Sequence, residues 1–307
     1  MIIGSRACAL EERERLKEWP VDIYQGISHT SETVLNIRIF QGALALYGLG
    51  TLGYLVFLAT QREGVARLAR LATGLGVLAH TGFFLTRWAA SGYFPITNLF
   101  ESLNFFSWAI VVSFIVLQIR FPAAVVGAIV LPIAFMLAAF SLTLDTAVAP
   151  LAPALQSRWL YVHTTLAFAG YAFFVIAFAG GVLYLIQERQ LKSRHTGAFF
   201  HRLPSLDLLD RINYRSLTFG FPLLTLGIIT GAIWAEMAWG SYWQWDPKET
   251  WSLITWFIYA ALVHARLTVG WRGRKAAWLA IVGFVAVLFT FLGVNMLLGG
   301  LHSYTNK

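Results

Sequence analysis

The sequence predicts an all-α protein of the membrane, a bundle of about eight transmembrane helices with a tryptophan-rich loop facing outward. Of its 307 residues, 58% are hydrophobic and 12% are charged, and the mean hydropathy is +0.65. A soluble domain of this length lacks the interior to bury so much apolar surface. Apolar stretches of about 20 residues, enough for a helix to cross a roughly 30 Å hydrocarbon core, recur along the chain.

Eight stretches are predicted to span the membrane. In chain order they cover residues 37–60, 71–92, 103–119, 123–142, 160–186, 217–235, 251–267 and 277–298. The fifth is long enough to protrude from the bilayer, and the third is short and polar for a span. Residues 1–36 lack the continuous apolar core of a signal peptide and are predicted to form an outer or interfacial segment. Residues 37–307 are read as one transmembrane domain, because no repeat or linker divides them.

The net charge of +8 and a pI of about 9.8 would suit nucleic acid, but the positions of the basic residues favour a membrane. Fourteen of the 23 Lys and Arg residues lie in inter-helix segments that an eight-span topology puts on one face, namely 61–70, Arg120, 187–215 and 266–275. The positive-inside rule makes that face cytoplasmic or stromal. Both termini and the tryptophan-rich loop then lie outside, and no nucleic-acid partner is expected.

Five of the twelve tryptophans lie within residues 234–251, around the sequence WGSYWQWDPKE at 239–249. One interpretation is an interfacial aromatic belt, in which amphipathic rings rest at headgroup level. Ordinary belts scatter aromatic residues over many helix ends, whereas this chain concentrates them in one loop. The pattern therefore favours a flat surface for a planar hydrophobic ligand.

Two histidines fall inside predicted spans, where a polar group is costly and marks a functional hypothesis. His80 is placed near mid-bilayer, and His264 lies thirteen residues beyond Trp251. For either alone, a hydrogen-bonded structural role is the more common explanation. Two at similar depth indicate a shared ligand, and imidazole nitrogen binds haem iron well.

Two more histidines are predicted at the outer surface, His163 at the start of the fifth span and His302 after the last. An aromatic shelf between them would stack a macrocycle, and the imidazoles would ligate its iron from both faces. Arg87, in the outer segment 87–102, has two interpretations. The segment is a re-entrant turn that caps helix ends, or Arg87 contacts a haem propionate, because guanidinium pairs with carboxylate bidentately.

Residues 239–249 resemble the WWD signature, WGxxWxWDxxE, of haem-handling proteins in cytochrome c maturation. Residues 87–101 and the ending Leu301-His302-Ser303 are similar to the CcsA/ResC branch, the synthase subunit of System II. The resemblance covers about residues 80–304. The related haem-delivery protein CcmC also has a WWD segment, but its usual six spans fit less well than the eight predicted here.

The resemblance implies a helical membrane bundle that carries haem b, as substrate and ligand, from an intramembrane site to an external one. His80 and His264 would ligate the transmembrane haem, and His163 and His302 the external haem. The haem-presenting surface would comprise Trp239, Gly240, Trp243, Trp245, Asp246 and Glu249. The family works with a second membrane protein, CcsB/ResB.

The function so implied is the haem-handling part of a holocytochrome c synthase, or haem lyase, acting on apocytochrome c CxxCH motifs. With Cys8 as its single cysteine, the chain forms no intramolecular disulfide, so the reacting thiols belong to the client. Rival interpretations are a di-haem transmembrane electron-transfer subunit, a CcmC-like haem-delivery protein, and a transporter whose histidines relay protons.

Overall fold

The computed structural model describes residues 21–148, 150–194 and 197–298, with backbone alone over 21–33. All regular structure in these ranges is helical, which confirms the predicted fold class. The helices are α1 Val21–Thr60, α2 Glu63–Ser91, α3 Leu99–Arg120, α4 Gly127–Ser141, α5 Arg158–Lys192, α6 Ala198–Arg202, α7 Leu206–Trp239, α8 Pro247–Thr268, α9 Arg274–Leu288 and α10 Val294–Leu297. A π-helical turn, Phe289–Gly293, joins α9 to α10, and two 3₁₀ turns, Ala124–Val126 and Pro153–Leu155, precede α4 and α5.

Among the described residues, seven helical segments are long and apolar enough to cross a membrane, one fewer than the sequence predicts. They are Val34–Thr60, Glu63–Ser91, Leu99–Arg120, Ala124–Ser141, Arg158–Lys192, Leu206–Trp239 and Arg274–Leu297. The predicted stretch 251–267 does form a helix, α8. His264, Arg266 and several Trp, Tyr and Thr residues lower its hydropathy, so composition alone does not mark it as a span.

Helix α8 is nevertheless long enough to cross the hydrocarbon core of a bilayer. Its 22 residues extend roughly 33 Å at 1.5 Å per residue. At its middle, Trp256 Nε1 donates to Thr225 Oγ1 of α7 at 2.9 Å. At its end, Arg266 donates to Asp210 Oδ1, near the start of α7, at 3.0 Å. These contacts fix α8 antiparallel to α7.

Successive long helices run in opposite directions, so the connections between them lie alternately at the two ends of the bundle. Among the described residues, connections 61–62, 121–123, 193–194 with 197–205, and 269–273 lie at one end of the bundle. Connections 92–98, 142–148 with 150–157, and 240–246 lie at the other. The first group carries the basic segments, so these segments share one end of the bundle. Asp210 joins three helices there, because its Oδ1 accepts from Arg266 and from the Gly273 backbone N–H at 2.8 Å.

Helix α5 is central and packs against α3, α4, α7 and α9. Small residues bring α7 unusually close to it. A Cβ on Gly170 would lie 2.9 Å from the Leu224 backbone nitrogen, and one on Gly227 would lie 3.1 Å from the Ala167 nitrogen. Such close approach is typical of small residues at membrane helix interfaces. It aligns the N-terminal half of α5 with the C-terminal half of α7.

Helix α1 runs from Val21 to Thr60 and so crosses the predicted boundary at residue 36. The division into an N-terminal segment and a transmembrane domain stays a prediction. Cys8, His302 and the rest of residues 299–307 lie outside the described residues.

Candidate functional site

A cavity of about 350 Å³ opens at the bundle end that carries the tryptophan-rich loop. It lies between α5, α7, the start of α8 and the π-helical turn. Its polar and aromatic lining residues include Thr97, His163, Thr164, Tyr171, Trp234, Trp239, Tyr242, Trp243, Lys248, Glu249, Ser252, Thr290 and Phe291. A mostly apolar cleft of this size with a few polar groups is typical of a small-molecule site.

His163 is held in one tautomer by a backbone hydrogen bond. Its Nδ1 lies 2.7 Å from the carbonyl oxygen of Gly227 on α7. Because a carbonyl only accepts, Nδ1 carries the proton and donates it. Nε2 is then the nitrogen whose lone pair suits a metal, and histidine ligands in metal sites are commonly oriented by such a bond.

The ring of His163 is positioned by α7. It stacks on Trp234, with centroids 6.1 Å apart and planes at 15°. Gly231 also lies against the ring, because a Cβ there would approach Nδ1 to 2.6 Å. Trp234 is itself anchored, because its Nε1 donates to the Ala154 carbonyl at 3.0 Å. Position 231 therefore has to remain glycine for this imidazole geometry.

The tryptophan-rich loop begins where α7 ends. Gly240 takes a left-handed conformation with φ of 72°, and its N–H closes the helix on Glu236. Trp239 and Trp243 line the cavity. Trp245 does not; it is 69% exposed, packs edge-on against Trp243 with centroids 5.7 Å apart, and has φ of 58°. A bulky residue in the left-handed region is strained, and such strain concentrates at functional sites.

Asp246 and Glu249 form a capping box at the start of α8. Asp246 accepts from the Lys248 N–H at 3.0 Å. Glu249 Oε2 accepts from the backbone N–H groups of Gln244 at 2.8 Å and Asp246 at 3.1 Å. The two carboxylates, expected as part of a haem-presenting surface, thus fix the loop that carries Trp243 and Trp245. Glu249 also reaches the cavity wall.

Lys248 provides positive charge at the cavity. Its Nζ donates to Asn295 Oδ1 of α10 at 3.2 Å. Burial lowers the pKa of Lys248 to about 8, and the nearby Asp246 charge opposes this shift only in part. The ammonium group is therefore mostly charged at neutral pH and suited to an anionic group on a ligand.

Arg87 is fully buried and engaged by protein groups. It pairs with Glu101, Nε to Oε1, at 2.8 Å, and donates to the carbonyls of Thr146 at 2.9 Å and Ala147 at 3.2 Å. Glu101 in turn accepts from the N–H and hydroxyl of Thr97, both at 2.9 Å. These bonds support the capping interpretation. A propionate contact would require breaking the pair with Glu101.

The Arg87 cluster nevertheless bears on the cavity. Thr97 lines it directly, and the segment after Ala147 supplies Ala152, Ala154 and Leu155 to its wall. Arg87 therefore joins two loops that border the cavity, and it acts on the site by holding them in place.

His80 lies in a buried aromatic cluster on α2. Its ring stacks on Phe84, with centroids 5.0 Å apart, and contacts Phe40 and Phe83. Its Nδ1 lies 3.3 Å from the Tyr47 hydroxyl. Nε2 is buried and has no hydrogen-bond partner among the described residues. This is the one feature of His80 that agrees with its expected role as an iron ligand.

The structure does not bring His80 and His264 together. Helix α2 packs against α1 and α3, whereas α8 packs against α7 and α9. His80 is fully buried, but His264 lies on the exposed surface of α8. Two axial ligands of one iron have to face each other closely. A haem shared by these two side chains therefore does not fit this arrangement.

Several residues of the cavity were not predicted. The π-helical turn carries Thr290 and Phe291, which line the cavity. Thr290 is fixed by a 2.9 Å contact with Thr255 of α8 and a 3.2 Å bond to the Trp251 carbonyl. Lys248 could have been predicted as a site residue from the sequence, because it is the cation within the tryptophan-rich signature.

Fold and site together define a polytopic membrane protein with a histidine-bearing, tryptophan-walled cavity at one end of its bundle. Residues 96–302 match the family described as Cytochrome C assembly protein. The chain belongs to this family and, within it, to the CcsA cytochrome c biogenesis proteins, as its tryptophan signature predicts.

The relatives match over most of their length. The chain is 43% identical to Cytochrome c biogenesis protein CcsA of Guillardia theta over 252 residues, 76% of this chain and 84% of the relative. With the CcsA of Pyropia yezoensis it shares 37% identity, covering 88% of this chain and 99% of the relative. With that of Gloeobacter violaceus it shares 39%, covering 88% and 97%.

A solved structure shows the same fold. Cytochrome c Heme Lyase CcmF superposes with a TM-score of 0.60 at 22% sequence identity, covering 85% of this chain and 47% of that one. At this identity the match bears on the helical architecture alone.

Proposed function

We propose that the chain holds haem in the cavity beside the tryptophan-rich loop and presents it for covalent attachment to apocytochrome c. The observation that carries this proposal is His163, which lines the cavity and donates from Nδ1 to Gly227 at 2.7 Å. That bond presents Nε2 as an iron ligand. His302, outside the described residues, is the proposed second ligand.

The cavity residues fit haem as the substrate. Trp239 and Trp243 offer faces for stacking a macrocycle, and imidazole is a common haem ligand. The charge on Lys248 matches a propionate carboxylate. The cavity of about 350 Å³ lies at the small end for a ligand site, so in this proposal part of the macrocycle extends to the exposed Trp245 of the loop.

Attachment adds each client thiol across a haem vinyl group. Sulfur bonds to one vinyl carbon and the proton goes to the other, so reduced thiols suffice and no further oxidant enters the balance. In this proposal the chain contributes mainly orientation: His163 and the tryptophans fix the macrocycle, and the capping box fixes the loop. The histidine of the client CxxCH motif then replaces one axial ligand.

The ligands proposed here for the transmembrane haem differ in part from the pair expected from the sequence. His264 lies on the exposed surface of α8, next to Phe257, which is 58% exposed, and Leu267, which is 66% exposed. An exposed histidine on a lipid-facing helix is accessible to a neighbouring membrane protein. We propose that His264 supplies one ligand there and that a CcsB/ResB-type partner supplies the other, while His80 belongs to the core.

The proposed topology has eight spans, because α8 extends roughly 33 Å and runs antiparallel to α7. The tryptophan-rich loop and both termini are placed outside, and the basic connections inside. Cysteine labelling with an impermeant reagent, after Cys8→Ser, tests this orientation. Labelling at position 246 but not 275 in intact cells is expected, and the reverse pattern overturns it.

The functional test is covalent haem attachment to a co-expressed apocytochrome c. Trp239→Ala together with Trp243→Ala is expected to abolish attachment while the protein remains in the membrane. Trp278→Ala is the matched control, because Trp278 is 51% exposed on α9 and does not line the cavity. An electron-transfer subunit predicts instead that attachment survives the double change and that transmembrane reduction fails.

A further inference from the structure

A second cavity, of about 620 Å³, lies between α3, α5 and α7, away from the tryptophan-rich loop. Its lining residues are Val116, Leu117, Arg120, Phe121, Phe173, Arg215, Ser216 and Phe219. Arg120 ends α3, and Arg215 lies 24 residues, or roughly 36 Å, before Trp239 along α7. The groove therefore opens at the end of the bundle that carries the basic connections.

Two guanidinium groups stand at this groove without an acidic partner. Arg120 and Arg215 are exposed, and neither forms an ion pair with any described residue. The acids on adjacent segments are paired elsewhere. Asp207 pairs with Arg211, Asp210 with Arg266, and Glu188 with Lys192 and Arg274. The groove is thus a local concentration of positive charge.

Ser216 adds a buried hydroxyl to the same groove. The residue is 1% exposed, and its Oγ has no hydrogen-bond partner within the described residues. Neighbouring hydroxyls on α7 bond back to the preceding turn: Thr218 Oγ1 donates to the Tyr214 carbonyl and Thr225 Oγ1 to the Phe221 carbonyl, both at 2.9 Å. The Ser216 hydroxyl makes no such bond, so it is available to donate to a ligand oxygen in the groove.

The remaining walls are apolar and open to the bilayer. Val116 is 50% exposed and Phe219 is 56% exposed. Phe219 packs on Phe173 of α5 with ring centroids 5.6 Å apart. An acyl chain would lie along these side chains as it does along any lipid-facing surface.

We propose that this groove binds an anionic phospholipid, with its phosphate between Arg120 and Arg215, its acyl chain along Phe173 and Phe219, and Ser216 donating to a headgroup or ester oxygen. Basic pockets between transmembrane helices at the cytoplasmic interface bind such headgroups. The site is independent of the haem cavity and of its chemistry.

The test is native mass spectrometry of the full chain, purified with phosphatidylglycerol and phosphatidylcholine present in equal amounts. The wild type is expected to retain phosphatidylglycerol preferentially. Arg120→Gln with Arg215→Gln should lower that retention on the order of 10- to 30-fold, from about fivefold per guanidinium. Ser216→Ala should lower it by a smaller factor.

Two control variants separate charge at the groove from charge in general. Arg62→Gln with Arg67→Gln removes two exposed cations at the same end of the bundle and should leave retention unchanged. Arg120→Lys with Arg215→Lys keeps the charge and should preserve most of it. Equal retention of the two lipids, unchanged retention in the double glutamine variant, or loss of copurified haem alone would each overturn the proposal.

Discussion

Replacing Gly231 by Ala tests whether the geometry of His163 governs haem presentation. A Cβ at this position would lie 2.6 Å from Nδ1 and 2.7 Å from Cε1 of His163. Ordinary contacts begin near 3.4 Å, so the imidazole has to move by about 0.8 Å. That movement disrupts the 2.7 Å hydrogen bond to the Gly227 carbonyl, since both groups lie on the same face of α7.

The expected effect is large on function and small on stability. Alanine is favoured over glycine within a helix by roughly 0.5–1 kcal/mol, which offsets about one lost hydrogen bond. Displacement of a positioning group by about 1 Å, however, lowers reaction rates by roughly 100-fold. We therefore expect Gly231→Ala to accumulate normally in membranes and to attach little haem.

The assay is the yield of covalent haem on a co-expressed cytochrome c, normalised to membrane-inserted protein. Gly74→Ala is the matched control, because no atom lies within 4 Å of a Cβ built there. Wild-type attachment by Gly231→Ala would refute the reasoning. A lower yield of covalent haem in both variants would indicate general damage to the bundle instead.

Three further outcomes follow from the contacts described. Arg87→Ala should destabilise the bundle by about 3–5 kcal/mol, because it leaves the Glu101 charge buried and unpaired; thermal unfolding of the purified protein measures this, and an unchanged midpoint contradicts it. Haem affinity should decline as pH rises through about 8, where Lys248 loses its charge, and Lys248→Arg should flatten the profile; spectrophotometric haem titration from pH 6.5 to 9.5 gives the answer. Asp246→Asn should retain attachment, since asparagine also caps helices, whereas Asp246→Ala should lose about 1 kcal/mol of loop stability; equal attachment defects in both would assign the carboxylate a chemical role.

The helical architecture followed from hydropathy, because each span is a continuous apolar run of the length a bilayer requires. Helix α8 marks the limit of this reasoning. Its predicted stretch 251–267 is helical, but its composition does not distinguish a span from an amphipathic helix. Contacts with Thr225 and Asp210 settle how it runs, and contacts between distant residues are not visible in a sequence.

The cavity was predictable in part. The tryptophan signature located the loop, and His163 was expected beside it. Asp246 and Glu249 were not identified from the sequence as the cap of α8. The pattern was present, because Asp246 is followed by a proline at the first helical position and by Glu249 three residues on, as in a capping box. His80 and His264 show a different limit. Hydropathy predicts depth in the bilayer, but not which helices are neighbours, and these two are on helices that pack apart.

The most direct test of the central claim is replacement of His163 by Ala, with and without imidazole. If Nε2 of His163 binds the haem that is to be attached, covalent cytochrome c should fall by at least tenfold, and added imidazole should restore part of the copurified haem spectrum. His201→Ala, an exposed histidine at the opposite end of the bundle, serves as the control and should have no effect. Wild-type yields of covalent cytochrome c from His163→Ala would contradict the account.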